Sequence, residues 1–224
     1  MGGYLKDMDA GILPVKNLSR AKHRLAEHLD DADRLEVARA LLEDSLALCR
    51  DASFLTWWVA SDDEEALTRA HDYGFNTVKD QTGTLNGALQ QAVLVAMAEG
   101  ATSVTMIPSD IPLAYSGDLR DLLDTGSTSE VVVVPSARDG GTNGLYLRPP
   151  DILAPRFGTA SMQAHLMLAE RLGFRCSILV LPRLALDIDT IEDVDEFLTR
   201  ERTGESKSAE ILAKLRPHVN GAES

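Results

Sequence analysis

Cysteine is scarce in this chain: Cys49 and Cys176 are the only two among 224 residues, and they lie far apart. That count points to two free thiols in a reducing cytosol rather than to a disulfide framework. No HxxxH pair, CxxC pair or histidine cluster occurs, which argues against zinc. No apolar run approaches the roughly 20 residues that span a bilayer. No apolar h-region follows Met1, so neither a membrane segment nor a secretory signal is expected. Gly2 invites myristoylation, but position 6 is Lys6 where that motif needs Ser or Thr. Basic residues are also in short supply. Lys and Arg number 22 against 35 Asp and Glu, a net charge of −13. Such a chain repels nucleic acid and anionic membrane at long range.

What is present is 44% hydrophobic and 25% charged, the balance of a globular protein. There is no internal repeat and no low-complexity linker. The length fits one α/β domain, read here as residues 1–200, followed by a polar tail at 201–224. That tail is expected to hold a short helix at 207–215, a frayed end and no chemistry. Strand patterns fall at 11–15, 54–61, 76–80, 103–110, 130–136, 144–149, 176–182 and 184–189. Helical patterns fall at 31–50, 62–74, 84–100, 118–125, 161–173 and from Thr190, which forms a capping box with Asp193. The alternation predicts a parallel or mostly parallel sheet covered on both faces. Trp57 and Trp58 are read as core and sheet-face residues, and His165 as a structural helix-face histidine.

In open α/β sheets, ligands bind at the carboxyl ends of strands. Four segments fall there. The first, KNLSRAKHR, carries Lys16, Arg20, Lys22 and Arg24 with no acid among them. It is either an anion site or a solvated helix start. The second, PSDIPL, places Asp110 at a strand end. The third, RDGGTNGL, has two adjacent glycines that let backbone N–H groups approach an anion, as many tight hairpins also do. The fourth, LALDID, sets Asp187 and Asp189 on one face of a strand, with Leu186 and Ile188 on the other. Two carboxylates about 6–7 Å apart repel unless a metal, a basic side chain or water separates them. With Asp110 they make a candidate oxygen cage for Mg²⁺. Two helix starts add candidates. FGTAS holds Gly158 and Ser161, for an anion or a plain cap. GTLNGAL holds Asn86, for a base edge or a cap.

The segments LPVKNLSRAKHRL, LNGAL, PSDIPL, GGTNGLYLRPP, FGTASMQAH and LALDIDTIEDV occur in this order between about residues 11 and 198. Together they resemble the phosphoenolpyruvate / 2-phospho-L-lactate guanylyltransferases of coenzyme F420 biosynthesis. The resemblance implies a three-layer, Rossmann-like α/β nucleotidyltransferase domain with a mostly parallel mixed sheet. It implies transfer of GMP from GTP to the phosphate of a three-carbon acid, with release of pyrophosphate. It also implies that Asp110, Asp187 and Asp189 hold two Mg²⁺ ions, and that Thr142, Gly158 and Ser161 contact the acid. The Lys16, Arg20, Lys22 and Arg24 segment would face the GTP phosphates. Leu85, Asn86 and Ala88 would lie in the guanine pocket. The glycine-rich GGxSxRxG-like loop of the related molybdenum and sugar-nucleotide transferases is absent.

The chemistry suits these residues. A phosphate nucleophile is already anionic at neutral pH, so no general base is needed. Positioning and charge neutralisation remain to be supplied, with Lys22 among the contributors. The GGTN and LPVKxLxxAKxRL forms look like those of bacterial members, which favours phosphoenolpyruvate over 2-phospho-L-lactate. Two rivals stand: another transferase of the same fold, acting on a sugar phosphate or a pterin, and a catalytically silent GTP-binding regulator. A homodimer is left open.

Overall fold

The computed structural model describes residues 7–201, 204 and 206–219. Its strands are β1 (Met8–Val15), β2 (Thr56–Ser61), β3 (Asn76–Lys79), β4 (Ala101–Met106), β5 (Val131–Pro135), β6 (Thr142–Leu147) and β7 (Cys176–Ile178). Its α-helices are α1 (Asp31–Asp51), α2 (Glu64–Asp72), α3 (Leu85–Ala98), α4 (Ser116–Gly126), α5 (Ser161–Leu172), α6 (Ile191–Arg200) and α7 (Lys207–Val219). The strands of the described residues form one sheet, in the order β3-β2-β1-β4-β6-β5-β7. Only β6 runs against the rest, antiparallel to both β4 and β5. The expected mostly parallel mixed sheet is what the chain forms.

Period-two side-chain alternation feeds two apolar layers. Leu13, Trp57 and Val59 pack on one face against α1, α2 and α4. Ile12, Trp58 and Ala60 pack on the other against α3 and α5. Both tryptophans are therefore core residues, as expected. Gly11 faces Trp57 across the β1–β2 pair, and a Cβ there would lie 2.4 Å from the indole ring. Cys49 is buried and Cys176 half-buried, both as free thiols. No helix of the described residues is long and apolar enough to cross a membrane.

A third apolar cluster joins α1, α6 and α7 to residues 186–188, through Leu25, Val37, Leu186, Ile188, Phe197 and Leu212. Helix α7 is anchored at its start by a single carboxylate. Asp44 accepts from the N–H groups of Lys207 and Ser208 and from both flanking serine hydroxyls.

Three local expectations need correction. Residues 184–189 form no strand: Leu184 and Ala185 belong to a turn, and 186–189 follow it outside any ladder. The Ala137 N–H donates to the Ala185 carbonyl, and the Ile188 N–H donates to the Asp110 carbonyl. Single bonds to two different segments make no ladder. Strand β4 stops at Met106, because Pro108 has no N–H to continue it. The segment after β1 is neither a helix start nor a free loop. It folds as two 3₁₀ turns, Leu18–Arg20 and His23–Leu25, with Leu18 and Leu25 buried beneath them.

Candidate active site

The chain leaves β1 toward β2 and β3 on one side, and β4 toward β6, β5 and β7 on the other. Such a reversal opens a crevice at the carboxyl ends of the two central strands. The turns after β1, the segment after β4, and the loop and first residues of β6 all line it. The reversed direction of β6 is what brings Thr142 and Asn143 to this edge.

At the centre of the crevice is Lys22. Its Nζ donates to Asp110 Oδ2 at 2.6 Å, to the Ile188 carbonyl at 2.5 Å and to Asp189 Oδ1 at 3.4 Å. The 3₁₀ turns put Lys22 in the left-handed region, at φ 56°, where a non-glycine residue is strained and which recurs at functional sites. Burial on its own would lower the ammonium pKa. The charges of Asp110 and then Asp189 outweigh it and hold Lys22 above the ordinary lysine value. Arg24 pairs with the other Asp189 oxygen at 3.2 Å, from a more exposed position. Lys22 thus stands between Asp110 and Asp189, so of the pair singled out by its spacing only Asp189 meets a basic side chain.

Asp187 is held differently. Its Oδ1 accepts from Asn143 Nδ2 at 3.0 Å, and Ser136 Oγ lies at 3.5 Å. Burial pushes this carboxyl above its ordinary value; the Asn143 bond opposes that, while the charges of Asp110 and Asp189 add to it. Among the described residues, no three acidic, histidine or cysteine side chains stand close enough to form a ready metal cage. The chemistry of the donors nonetheless suits a hard divalent ion. The three aspartates line one crevice, and Asp187 sits where its anion is disfavoured. Such an ion would have to share Asp110 and Asp189 with Lys22.

Facing these acids is a wall built from the glycine loop and the start of α5. The Ala160 N–H donates to the Asp139 carbonyl, and the Met162 N–H to the Gly140 carbonyl. Gly141 N–H is fixed on Asp139 Oδ1 at 2.7 Å. Gly158 has φ +130°, closed to an L side chain, although nothing lies within 4 Å of where its Cβ would be. Thr142 and Gly158 line the crevice. Ser161 is not a helix cap: Ala160 holds the N-cap position, and the Ser161 hydroxyl donates instead to Thr142 Oγ1 at 3.1 Å. It sits behind Thr142, 2% exposed.

An adjoining recess is lined by Lys16, Arg20, Asp80, Thr84, Leu85 and Ala88, and it meets the crevice at Lys16 and Leu85. Thr84 caps α3 through Gly87 N–H. Asn86 neither caps nor lines the recess. Its amide donates to the Phe157 carbonyl at 3.1 Å and accepts from the Phe157 N–H at 2.7 Å, tying α3 to the wall. Asn143, Ser136 and Asp139 belong to the site but were not singled out from the sequence. Asn143 lay inside the GGTN motif, and only the contact with Asp187 distinguishes its amide from that of a hairpin residue.

The profile of the family described as "Guanylyl transferase CofC like" matches residues 9–224. The chain is 38% identical over 208 residues to the 2-phospho-L-lactate guanylyltransferase of Methanothermobacter thermautotrophicus, covering 92% of this chain and 90% of that one. It is 36% identical over 211 residues to the phosphoenolpyruvate guanylyltransferase of Conexibacter woesei, covering 91% and 95%. Among solved structures, a nucleotide-diphospho-sugar transferase structure from Desulfovibrio desulfuricans superposes with TM-score 0.79 at 17% identity, covering 96% of this chain and 98% of that one. The 4-diphosphocytidyl-2C-methyl-D-erythritol synthase of Anaerococcus prevotii superposes at 0.59 with 11% identity, covering 87% and 99%. At those identities the two structures speak to the fold alone.

Proposed function

The chain belongs to the family of CofC-like guanylyl transferases, and from that premise we propose that it transfers the GMP unit of GTP to the phosphate of phosphoenolpyruvate. An oxygen of the acceptor phosphate bonds to the α-phosphorus of GTP. The bond from that phosphorus to the bridging oxygen breaks, and pyrophosphate leaves with the electron pair. The products are enolpyruvoyl-2-diphospho-5'-guanosine and diphosphate.

The observation that carries the reading is the convergence, at the β1/β4 crevice, of Lys22 with Asp110, Asp187 and Asp189, opposite the Thr142–Gly158 wall. Lys22 offers a fixed positive charge where phosphate charge builds up, and Lys16 and Arg20 extend it into the recess. Leu85 and Ala88 give that recess an apolar floor suited to a base. Thr142 and Gly158 would seat the three-carbon acid, with Ser161 behind them. Asp110, Asp187 and Asp189 would hold Mg²⁺, which when bound neutralises phosphate charge. A reaction fed by GTP and a glycolytic-type phosphoacid suits the cytosol.

The relative at 38% identity gives 2-phospho-L-lactate a claim as acceptor. Incubation with GTP, Mg²⁺ and each acid separately, with pyrophosphate release measured, decides between them. Because a mixed anhydride of this kind is labile, coupling to a consuming enzyme makes the assay robust. Faster turnover with phosphoenolpyruvate is expected. Turnover with 2-phospho-L-lactate alone would move the assignment there, and turnover with neither would remove it.

A further inference from the structure

His165 lies on α5 and is wholly buried, with its ring edge-on to Phe157 at 5.7 Å. Both of its nitrogens are engaged. The Arg156 N–H donates to Nε2 at 3.0 Å. A ring nitrogen that accepts a hydrogen bond carries no proton, so the proton of the neutral ring is on Nδ1. Burial, and secondarily the charge of Arg156, pulls the pKa down to about 4, so the ring is neutral at physiological pH. Nδ1 lies 3.1 Å from Thr142 Oγ1 and donates to it. Ser161 Oγ donates to the same oxygen, also at 3.1 Å. A hydroxyl oxygen has two lone pairs, and both are now taken.

We propose that His165 is a positioning residue for the acceptor acid. With Ser161 it fills both acceptor sites of Thr142 Oγ1, so the Thr142 hydroxyl can act only as a donor, aimed at an anionic oxygen in the crevice. Thr142 lines the crevice while Ser161 and His165 lie behind it, which fixes the direction of the chain. With the ring protonated at Nδ1, Thr142 donates to no protein group among the described residues. A threonine free to rotate would accept as readily as donate and would gain less from an anion. This inference rests on the guanylyltransferase reading, but its first test does not depend on turnover.

Long-range ¹H–¹⁵N correlation spectra of the ¹⁵N-histidine-labelled protein report the tautomer of each ring. The expected spectrum has one neutral histidine protonated at Nδ1. A His165 ring protonated at Nε2, or an imidazolium at neutral pH, overturns the proposal. The kinetic test uses variants. His165→Leu removes the donor and should raise KM for the acid about tenfold, as for one hydrogen bond to a charged group, with KM for GTP unchanged. His165→Asn keeps an N–H near the Nδ1 position and should recover most of that loss. Combining His165→Leu with Thr142→Val should add little to Thr142→Val alone. Equal shifts in both KM values, or full additivity, would show a structural role only. If the wild-type protein uses no three-carbon phosphoacid, the functional assignment fails, and the spectra still test the tautomer.

Discussion

Lys22 decides how the crevice is charged. It contacts residues 88 and 167 positions away, and the acids it separates would otherwise face one another. Lys22→Met is expected to lower kcat by roughly 10²- to 10³-fold, the range for losing one preorganised charge at a reacting phosphate, as read by pyrophosphate release. Loss of less than threefold would place Lys22 outside the chemistry. His165 supplies a second residue-scale prediction. Its folded pKa of about 4 lies below the ordinary 6.5, so the unfolded chain takes up the proton first as pH falls. The stability contribution is whole above about 6.5, shrinks through the interval and is gone below about 4, a loss on the order of 3 kcal/mol. Urea unfolding at several pH values should show this slope in the wild type and a shallower one in His165→Leu. At this scale the sequence was partly legible. The alternation Leu186, Asp187, Ile188, Asp189 reads correctly because extended backbone has period two whether or not a ladder forms. The meeting of Lys22 with Asp110 does not, because no local pattern encodes a contact 88 residues long.

Among the elements, the strands and most helices follow from hydrophobic period and from caps such as Thr190 with Asp193. The direction of β6 does not, since a strand buried on both faces has the same pattern in either sense. Nor does the docking of α7, whose Ala209, Ile211, Leu212 and Leu215 pack into the third cluster and whose start is held by Asp44 on α1, a contact 163 residues long. Asp44→Ala should cost about 1–2 kcal/mol, a fall in Tm of roughly 3–6 °C, because it strips a cap and leaves two serine hydroxyls without their acceptor. Leu212→Ala should cost about 2–5 kcal/mol by opening the third cluster. That cluster also seats Leu186 and Ile188, so its loosening should reach Asp187 and Asp189 and lower activity in the folded fraction. Activity per folded molecule equal to wild type would show that the tail merely stabilises. Gly11→Ala should fail to reach wild-type stability, losing about 1–3 kcal/mol, since its methyl would collide with Trp57.

Over the whole molecule, a three-layer plan with the binding crevice at its strand reversal is foreseeable from the alternation of elements. The site adds a feature that plan does not contain: its acids come with a resident cation. Lys22 already offsets the charge of Asp110 and Asp189, so the folded crevice does not depend on a metal to neutralise those two acids. Exhaustive chelation should therefore abolish turnover yet move Tm by no more than about 2 °C. A larger fall would mean that the metal, and not Lys22, holds the crevice together. Were magnesium the ion these acids take, the unloaded protein would wait in its native shape through a shortage and resume work once supply returned, with no refolding in between.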